Sequence, residues 1–384
     1  MFSVSSPPLP KQDMMFPRSS NVIIEVSNDQ DLYQSFSSYS YGSALLLPPD
    51  VDGETTNPCH FAWHCAIPAL TASLRHDRFD VTFETDRSVG SFTDWQSSFL
   101  DLVTASSPIL DSIFFSSNTA CAEKLTIVSP SIQLISGVID AQSLRSLVAK
   151  SYPQVSSYYE GRASFEIEER LLQGSPLSPP SHSPLVTLLV REPGVGNGRQ
   201  LLNQEEVVNA IGGVLSKLFP DERCSIKVMS FDGKTPFEEQ VTAVAKSTVV
   251  ISIHGAALVN TMFMPPGTSV IEISSERFEH PIFQRLSANS GLHHYRYLAS
   301  ESEGETEPNY SDIFEGWTSA ACTADIRCRI PNKEVNIQVK DMPRFKRILK
   351  HALSAAFPDA SNKKALTARD NVCFSEVTGR YEIC

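Results

Sequence analysis

The sequence predicts an α/β protein of two domains, each with parallel strands flanked by helices. Three observations predict it. From residue 185 onward, short apolar runs alternate with amphipathic helical stretches, the rhythm of right-handed βαβ units and a doubly wound sheet. The run Val249–Ile253 is too short and too β-branched for a helix; it reads as a strand covered on both faces. The 384 residues suffice for two hydrophobic cores, and a Ser/Pro-rich stretch separates them.

In the first half, strands are predicted at 21–26, 42–47, 81–84, 113–115 and 125–128, and helices at 61–74, 92–104 and 142–150. Residues 173–184 hold four prolines and four serines, which rules out a helix or a central strand and marks a linker or exposed loop. After it come a strand at 185–190 and a helix at 203–218, with Asn203 as its N-cap and Glu205 and Glu206 in the first turn. A strand at 225–229 precedes a helix at 236–245 that opens on Pro236 with Glu238 and Glu239 nearby. The strand Val249–Ile253 runs into a short helix at 256–263 that stops at Pro265-Pro266-Gly267. A strand at 269–273, a helix at 281–289 and a strand at 294–298 complete the alternation. Residues 340–357 form an amphipathic helix with Phe345, Ile348, Leu349 and Leu353 on one face. The division is an N-terminal domain over 1–172, a linker over 173–184, a second domain over 185–335 and a helix and tail over 336–384.

The formal net charge of −12 argues against a nucleic-acid partner, whose phosphates call for Lys and Arg. Glu301, Glu303, Glu305 and Glu307 read as a solvated loop. No apolar run is long enough to span a membrane, and residues 1–21 lack the apolar core of a signal peptide. The eight cysteines contain no Cys-x-x-Cys pair, so a zinc or thioredoxin-like site has little support. Cys322 and Cys328 are close in sequence, as are Cys59 and Cys65, and Asn309-Tyr310-Ser311 is a glycosylation sequon. These suit an oxidising compartment; buried thiols in the cytosol are the alternative.

Ligands of open α/β sheets bind beyond the carboxyl ends of the strands. Arg191, Glu192, His254, Gly255, Ser274 and Ser275 follow predicted strands. A strand, a glycine and a helix at 249–263 aim a helix N-terminus at an anion. Arg191 and Arg199 offer bidentate guanidinium contacts to a diphosphate. His254 is either a strand-end histidine held by hydrogen bonds or a group that meets phosphate, sugar or a proton. The glycines at 194, 196 and 198 lack the helix that a dinucleotide loop requires, which counts against an oxidoreductase. His60 and His64 would share one helix face. They read as a candidate base, as a metal pair without a third ligand, or as part of a helix start capped by Asn57.

Together these residues resemble glycosyltransferase family 61. Asn57 and His60 match its early Asn-x-x-His segment. Arg191, Arg199, Asn203 and Glu206 match an Arg, a second Arg and an Asn-x-x-Glu. Glu239 and Gln240 match a Glu-Gln pair at a helix start. The family's His-Gly-Ala-Gly-Leu-x-Asn signature, its Phe-x-Pro-Pro-Gly turn and its following strand correspond to 254–260, 263–267 and 270–273, with Glu272 inside the last. Residues 291–295 resemble its Gly-Leu-x-Tyr segment. The chain departs from the signature at Ala257, where the family carries glycine, and it shows no N-terminal anchor.

The resemblance implies a GT-B-like fold of two facing Rossmann-like domains with parallel sheets and an interdomain cleft. It also implies an inverting transfer of xylose, arabinose or N-acetylglucosamine from a UDP-sugar to a glycan or glycoprotein acceptor. The donor would meet Arg191, Arg199, Asn203, Glu239, Gln240, His254, Gly255, Ala256, Ala257, Asn260 and Glu272, with His60 or His64 as base. No tightly bound cofactor and no divalent metal are expected. The tail helix would cross back to the first domain. The location would be the Golgi or endoplasmic reticulum lumen, or the cytoplasm if the missing anchor is genuine. The alternative is a non-catalytic relative that keeps the fold and binds carbohydrate or nucleotide.

Overall fold

The structure is a computed structural model. It describes residues 183–357, apart from 192–198, 221–222, 232–233, 276–277, 302–316, 326 and 329–335. In the first half it describes 2–5, 23–26, 40–47, 62, 66, 70, 81–84, 93–103, 109–110, 121–127 and 138–159; at the end it describes 372–375 and 380–383. The chain forms two compact units, Met1–Leu147 and Val148–Cys384.

The first unit carries β1 (Phe2–Ser5), β2 (Ile23–Val26), β3 (Ser40–Leu47), β4 (Val81–Glu84), β5 (Ile109–Leu110) and β6 (Cys121–Ile127). Their order is β2-β1-β6-β3-β4-β5. The last four are parallel, whereas β1 runs antiparallel to both neighbours. The sequence pattern gave no sign of β1, which is short and lies in a Ser/Pro-rich segment. Helix α1 (Asp94–Val103) buries Trp95, Phe99, Leu100, Leu102 and Val103, and Thr93 and Gln96 cap its start reciprocally. Ala62, Ala66 and Leu70 are helical and buried at four-residue spacing, in the stretch where a helix at 61–74 is predicted. The predicted strand at 113–115, together with Asn57, His60 and His64, lies outside the described residues.

Helix α2 (Val138–Ser151) and the short α3 (Ser156–Tyr159) lead towards the second sheet. That sheet comprises β7 (Leu185–Val190), β8 (Ser225–Ser230), β9 (Val249–Ile253), β10 (Ser269–Ser275), β11 (His293–Glu301) and β12 (Ile337–Gln338), in the order β12-β11-β10-β9-β7-β8. Strands β8, β7, β9, β10 and β11 are all parallel; β12 alone is antiparallel. Counted from β7, the parallel order is 2-1-3-4-5, so the winding reverses between β7 and β9. Val249–Ile253 is buried at every position, as a strand covered by helices on both faces must be.

Helices α4 (Gln204–Leu218), α5 (Phe237–Lys246), α6 (Ile282–Asn289), α7 (Ser319–Ala324) and α8 (Met342–Ala356) belong to this unit. Helix α8 buries Phe345, Ile348, Leu349, Ala352, Leu353 and Ala356 in one core with Val207 and Ile211 of α4 and with Ile271 and Tyr297. Asp341 caps it by accepting from the Arg344 N–H at 2.9 Å, and Ser269 donates to the Ala352 carbonyl at 2.8 Å. The tail helix expected to cross to the first domain therefore lies on the second sheet as far as residue 357. Cys322 and Cys328 form a disulfide.

Two expectations need correction, the cap at Asn203 and the place of Ser274 and Ser275. Asn203 occupies the N-cap position of α4 without capping it. Its amide instead pairs with both backbone groups of Val339, at 3.0 Å each, which ties α4 to the segment after β12. The short helix expected at 256–263 is present as a 3₁₀ helix, Ala256–Phe263; Thr261 and Asn260 turn their side chains back onto the carbonyls of Leu258 and Ala257, three residues earlier. Ser274 and Ser275 belong to β10 and are buried. Gly255 has an extended backbone, φ 167°.

Candidate anion site at the sheet's switch point

The winding reverses between β7 and β9, and in doubly wound sheets ligands bind beyond the carboxyl ends of the strands at such a point. Arg191 directly follows β7, and His254-Gly255 directly follow β9. The two ends meet there. A Cβ placed on Gly255 would lie 2.8 Å from Arg191 Nη2 and 3.4 Å from Arg199 Nη1. Glycine is needed because two guanidinium groups converge on its backbone. Arg199 Nη1 also donates to the His254 carbonyl at 3.0 Å. Arg199 is the only non-glycine residue with positive φ, 62°, among the described residues, a costly conformation that marks a constrained position. Burial lowers the proton affinity of Arg191 below its ordinary value, yet a guanidinium stays charged. Two cations beside the start of the 3₁₀ helix make a candidate anion cradle.

Behind the cradle lies a buried ionic network. Glu272 of β10 is wholly buried. One carboxylate oxygen bonds His254 Nδ1. The other accepts from His294 Nε2 at 3.0 Å and Arg296 Nη2 at 3.1 Å. Arg296 also reaches Glu279 at 3.0 Å and the His280 carbonyl at 2.8 Å. Glu272 stays ionised: burial pushes its pKa up, but His254, His294 and Arg296 together hold it well below the ordinary carboxylate value. His254 has lowered proton affinity, because burial outweighs the attraction of Glu272, and Arg199 and Arg296 act in the same direction as burial. Its ring packs against Phe278 and Phe283, with centroids at 4.7 and 5.1 Å.

A third group supports the cradle from the side. Gln240 of α5 donates to the Thr235 carbonyl at 2.7 Å and accepts from Asn260 Nδ2 at 3.1 Å. Thr235 donates to the Ser230 carbonyl at 2.8 Å. The loop after β8 is thus clamped to the 3₁₀ helix. Tyr159 pins the far end of that helix by donating to the Phe263 carbonyl at 2.6 Å.

Of the predicted site residues, Arg191, Arg199, His254 and Gly255 come together at the switch point, with Ala256 and Ala257 opening the helix behind them. Glu272, Gln240 and Asn260 are buried struts. Asn203 donates to Glu206 at 2.9 Å as well as pairing with Val339, and Glu239 is exposed on α5. Sequence reasoning missed Arg296, His294, Glu279 and His280. The alternation of His294 and Arg296 placed them on one strand face, but only the register β10–β11, with Glu272 beside Arg296, brings them to the carboxylate. Among the described residues no group of three or more His, Cys, Asp or Glu is set to hold a metal. No helix among them is long and apolar enough to cross a membrane.

Fold and site together define an α/β protein with a doubly wound parallel sheet and two arginines converging on a glycine at its switch point. The family model for glycosyltransferase 61 matches residues 54–271, more than half of the chain. The chain belongs to glycosyltransferase family 61. It is similar to a beta-1,2-xylosyltransferase of Arabidopsis thaliana, 26% identical over 125 residues, covering 32% of this chain and 23% of that protein. It is also similar to beta-1,2-xylosyltransferase RCN11 of Oryza sativa subsp. japonica, 31% identical over 97 residues, covering 25% and 17%. The matched stretch thus spans less than a quarter of either relative. Among solved structures, the bacterial iron-containing dodecameric glycosyltransferase TibC from enterotoxigenic E. coli H10407 aligns over 86% of this chain and 78% of its own, at 11% identity. Its TM-score of 0.31 carries no argument for this chain.

Proposed function

We propose that this protein transfers a sugar from a UDP-sugar to a hydroxyl of a glycan or glycoprotein, with inversion at the anomeric carbon. The observation that carries the reading is the convergence of Arg191 and Arg199 on Gly255 in a chain of this family. Two preorganised guanidinium groups stabilise a departing diphosphate without a metal, at a protein site where their field is stronger than in water. The sugar would be xylose, arabinose or N-acetylglucosamine, with xylose favoured by the plant relatives. The second unit would hold the donor and the first the acceptor. The Cys322–Cys328 disulfide suits a Golgi or endoplasmic reticulum lumen, where disulfides persist.

Thermal denaturation with UDP, GDP, UDP-xylose, UDP-arabinose and UDP-N-acetylglucosamine tests the donor site. A true donor at a hundred times its Kd adds about 2.7 kcal/mol of stability, and product analysis then identifies the sugar moved. No shift with any of these ligands overturns the reading.

A further inference from the structure

The ring of His254 and the two arginines meet different sides of the Gly255 turn. Arg191 arrives from the end of β7 and, with Arg199, lies against Gly255. The His254 ring is turned towards β10, bonded to Glu272 and packed on Phe278 and Phe283. An ionised carboxylate only accepts hydrogen bonds, so Nδ1 carries the hydrogen in that pair. In a neutral imidazole, Nε2 is then a lone pair. Nε2 makes no hydrogen bond among the described residues, and a tenth of the side chain is exposed.

The ring has little reason to take a second proton. The charge of Glu272 is already met by Arg296, whose Nη2 lies 3.1 Å away, and by the hydrogen bond from His294. Among the described residues, the titratable and charged groups that act on or adjoin His254 are Glu272, Arg199, Arg296 and His280, with Arg191 against the following Gly255 and with His294 and Glu279 linked through Glu272 and Arg296. Burial and the two arginines oppose a further cation. A neutral Nε2 has nothing to donate to a phosphate oxygen; its partner must be a hydrogen-bond donor.

We propose that Nε2 of His254 accepts a hydrogen bond from a carbohydrate hydroxyl instead of binding the diphosphate, a role that rests on the donor-site reading above. Glu272 is the positioning residue that fixes the tautomer. The hydroxyl comes either from the donor's sugar or from the attacking group of the acceptor. In the second case the oxygen bonds the anomeric carbon as the bond from that carbon to the diphosphate breaks. The electron pair leaves on the phosphate oxygen facing Arg191 and Arg199, and the hydroxyl proton passes to Nε2. The resulting imidazolium rests on Glu272.

Titration calorimetry with UDP, in two buffers of different ionisation enthalpy near about pH 7.5, tests the neutral ring. The expected result is no proton uptake by His254. Uptake of about one proton that disappears in His254→Ala would mean a charged phosphate ligand, and overturns the proposal. With UDP the His254→Ala variant should keep its Kd within about threefold, while transfer from the active UDP-sugar falls by about 100-fold or more. If affinity for the UDP-sugar weakens by about tenfold relative to UDP, the hydroxyl is the donor's. If donor affinity is kept and the acidic limb of the kcat profile disappears, the hydroxyl is the acceptor's. Unchanged transfer, or loss of UDP affinity in a folded variant, refutes the assignment. A wild-type protein that binds no UDP, GDP or UDP-sugar refutes the donor site itself. An absence of uptake in the wild type supports the neutral ring without any variant, and if His254→Ala fails to fold, His254→Asn serves in its place to assign an uptake that is seen.

Discussion

Replacing Gly255 by alanine isolates the cradle from the rest of the fold. The added methyl would meet Arg191 Nη2 at 2.8 Å and Arg199 Nη1 at 3.4 Å. Ordinary contact lies near 3.5 Å, so the Arg191 guanidinium must withdraw by about 0.7 Å. A guanidinium–phosphate hydrogen bond of about 2.8 Å is then stretched to about 3.5 Å, where little of it remains. A charge-assisted hydrogen bond contributes about 1.5–3 kcal/mol. Each 1.4 kcal/mol is about tenfold in affinity, so Gly255→Ala should weaken UDP binding by about 10- to 150-fold. The fold should survive. With φ at 167° the backbone is extended and accepts alanine, and what gives way is the end of a long side chain. Calorimetric titration with UDP gives the affinity, and thermal denaturation without ligand gives the stability change, expected within about 0.5 kcal/mol. A Kd within threefold of wild type, with Tm unchanged, would refute the idea that Gly255 exists to admit Arg191.

Other consequences follow from the same contacts. Arg191→Lys keeps the charge but loses the planar fork; UDP affinity should fall by about tenfold or more, measured by titration. Glu272→Ala should cost about 3–5 kcal/mol in denaturant unfolding, because Arg296 loses its buried counter-charge and His254 and His294 lose a hydrogen-bond acceptor; a cost below about 1 kcal/mol would show the network to be incidental. Acid should destabilise the protein in two stages. His254 and His293 have lowered pKa values in the fold, so the unfolded chain binds more protons below about pH 6.5 and stability falls from there. Glu272, also lowered, stabilises fully above about pH 4.5 and loses that contribution below it, where the unfolded chain's carboxylate takes a proton that the folded one refuses. Tm measured from neutral to acid pH checks the order, and a Tm that rises on acidification would contradict both. Phe345→Ala on α8 should cost about 3–5 kcal/mol, since its ring is wholly buried against Tyr297.

The sequence by itself determined the alternation of the second half. The strands at 185–190 and 249–253 and the helices α4, α5, α6 and α8 follow from local apolar period, proline placement and acidic first turns. It also singled out Arg191, His254 and Gly255, as residues that follow strands in an α/β pattern, and Arg199 as a second guanidinium for a diphosphate. Local pattern was weaker in the first half. β1 is four residues in a segment without periodicity, and β5 is two residues long, too short to leave a pattern. What only the tertiary structure decided is strand order and register, which depend on contacts far apart in sequence. The order β8-β7-β9-β10-β11 places the switch point between β7 and β9 and so joins Arg191 to Gly255. The pairing of β10 with β11 sets Arg296 beside Glu272, turning a lone acidic residue in an apolar strand into the centre of a buried ionic network. The same contacts made Asn203 a link to Val339 and Gln240 a partner of Asn260. A side chain's type tells what it can bond, and only the fold tells which partner is within reach.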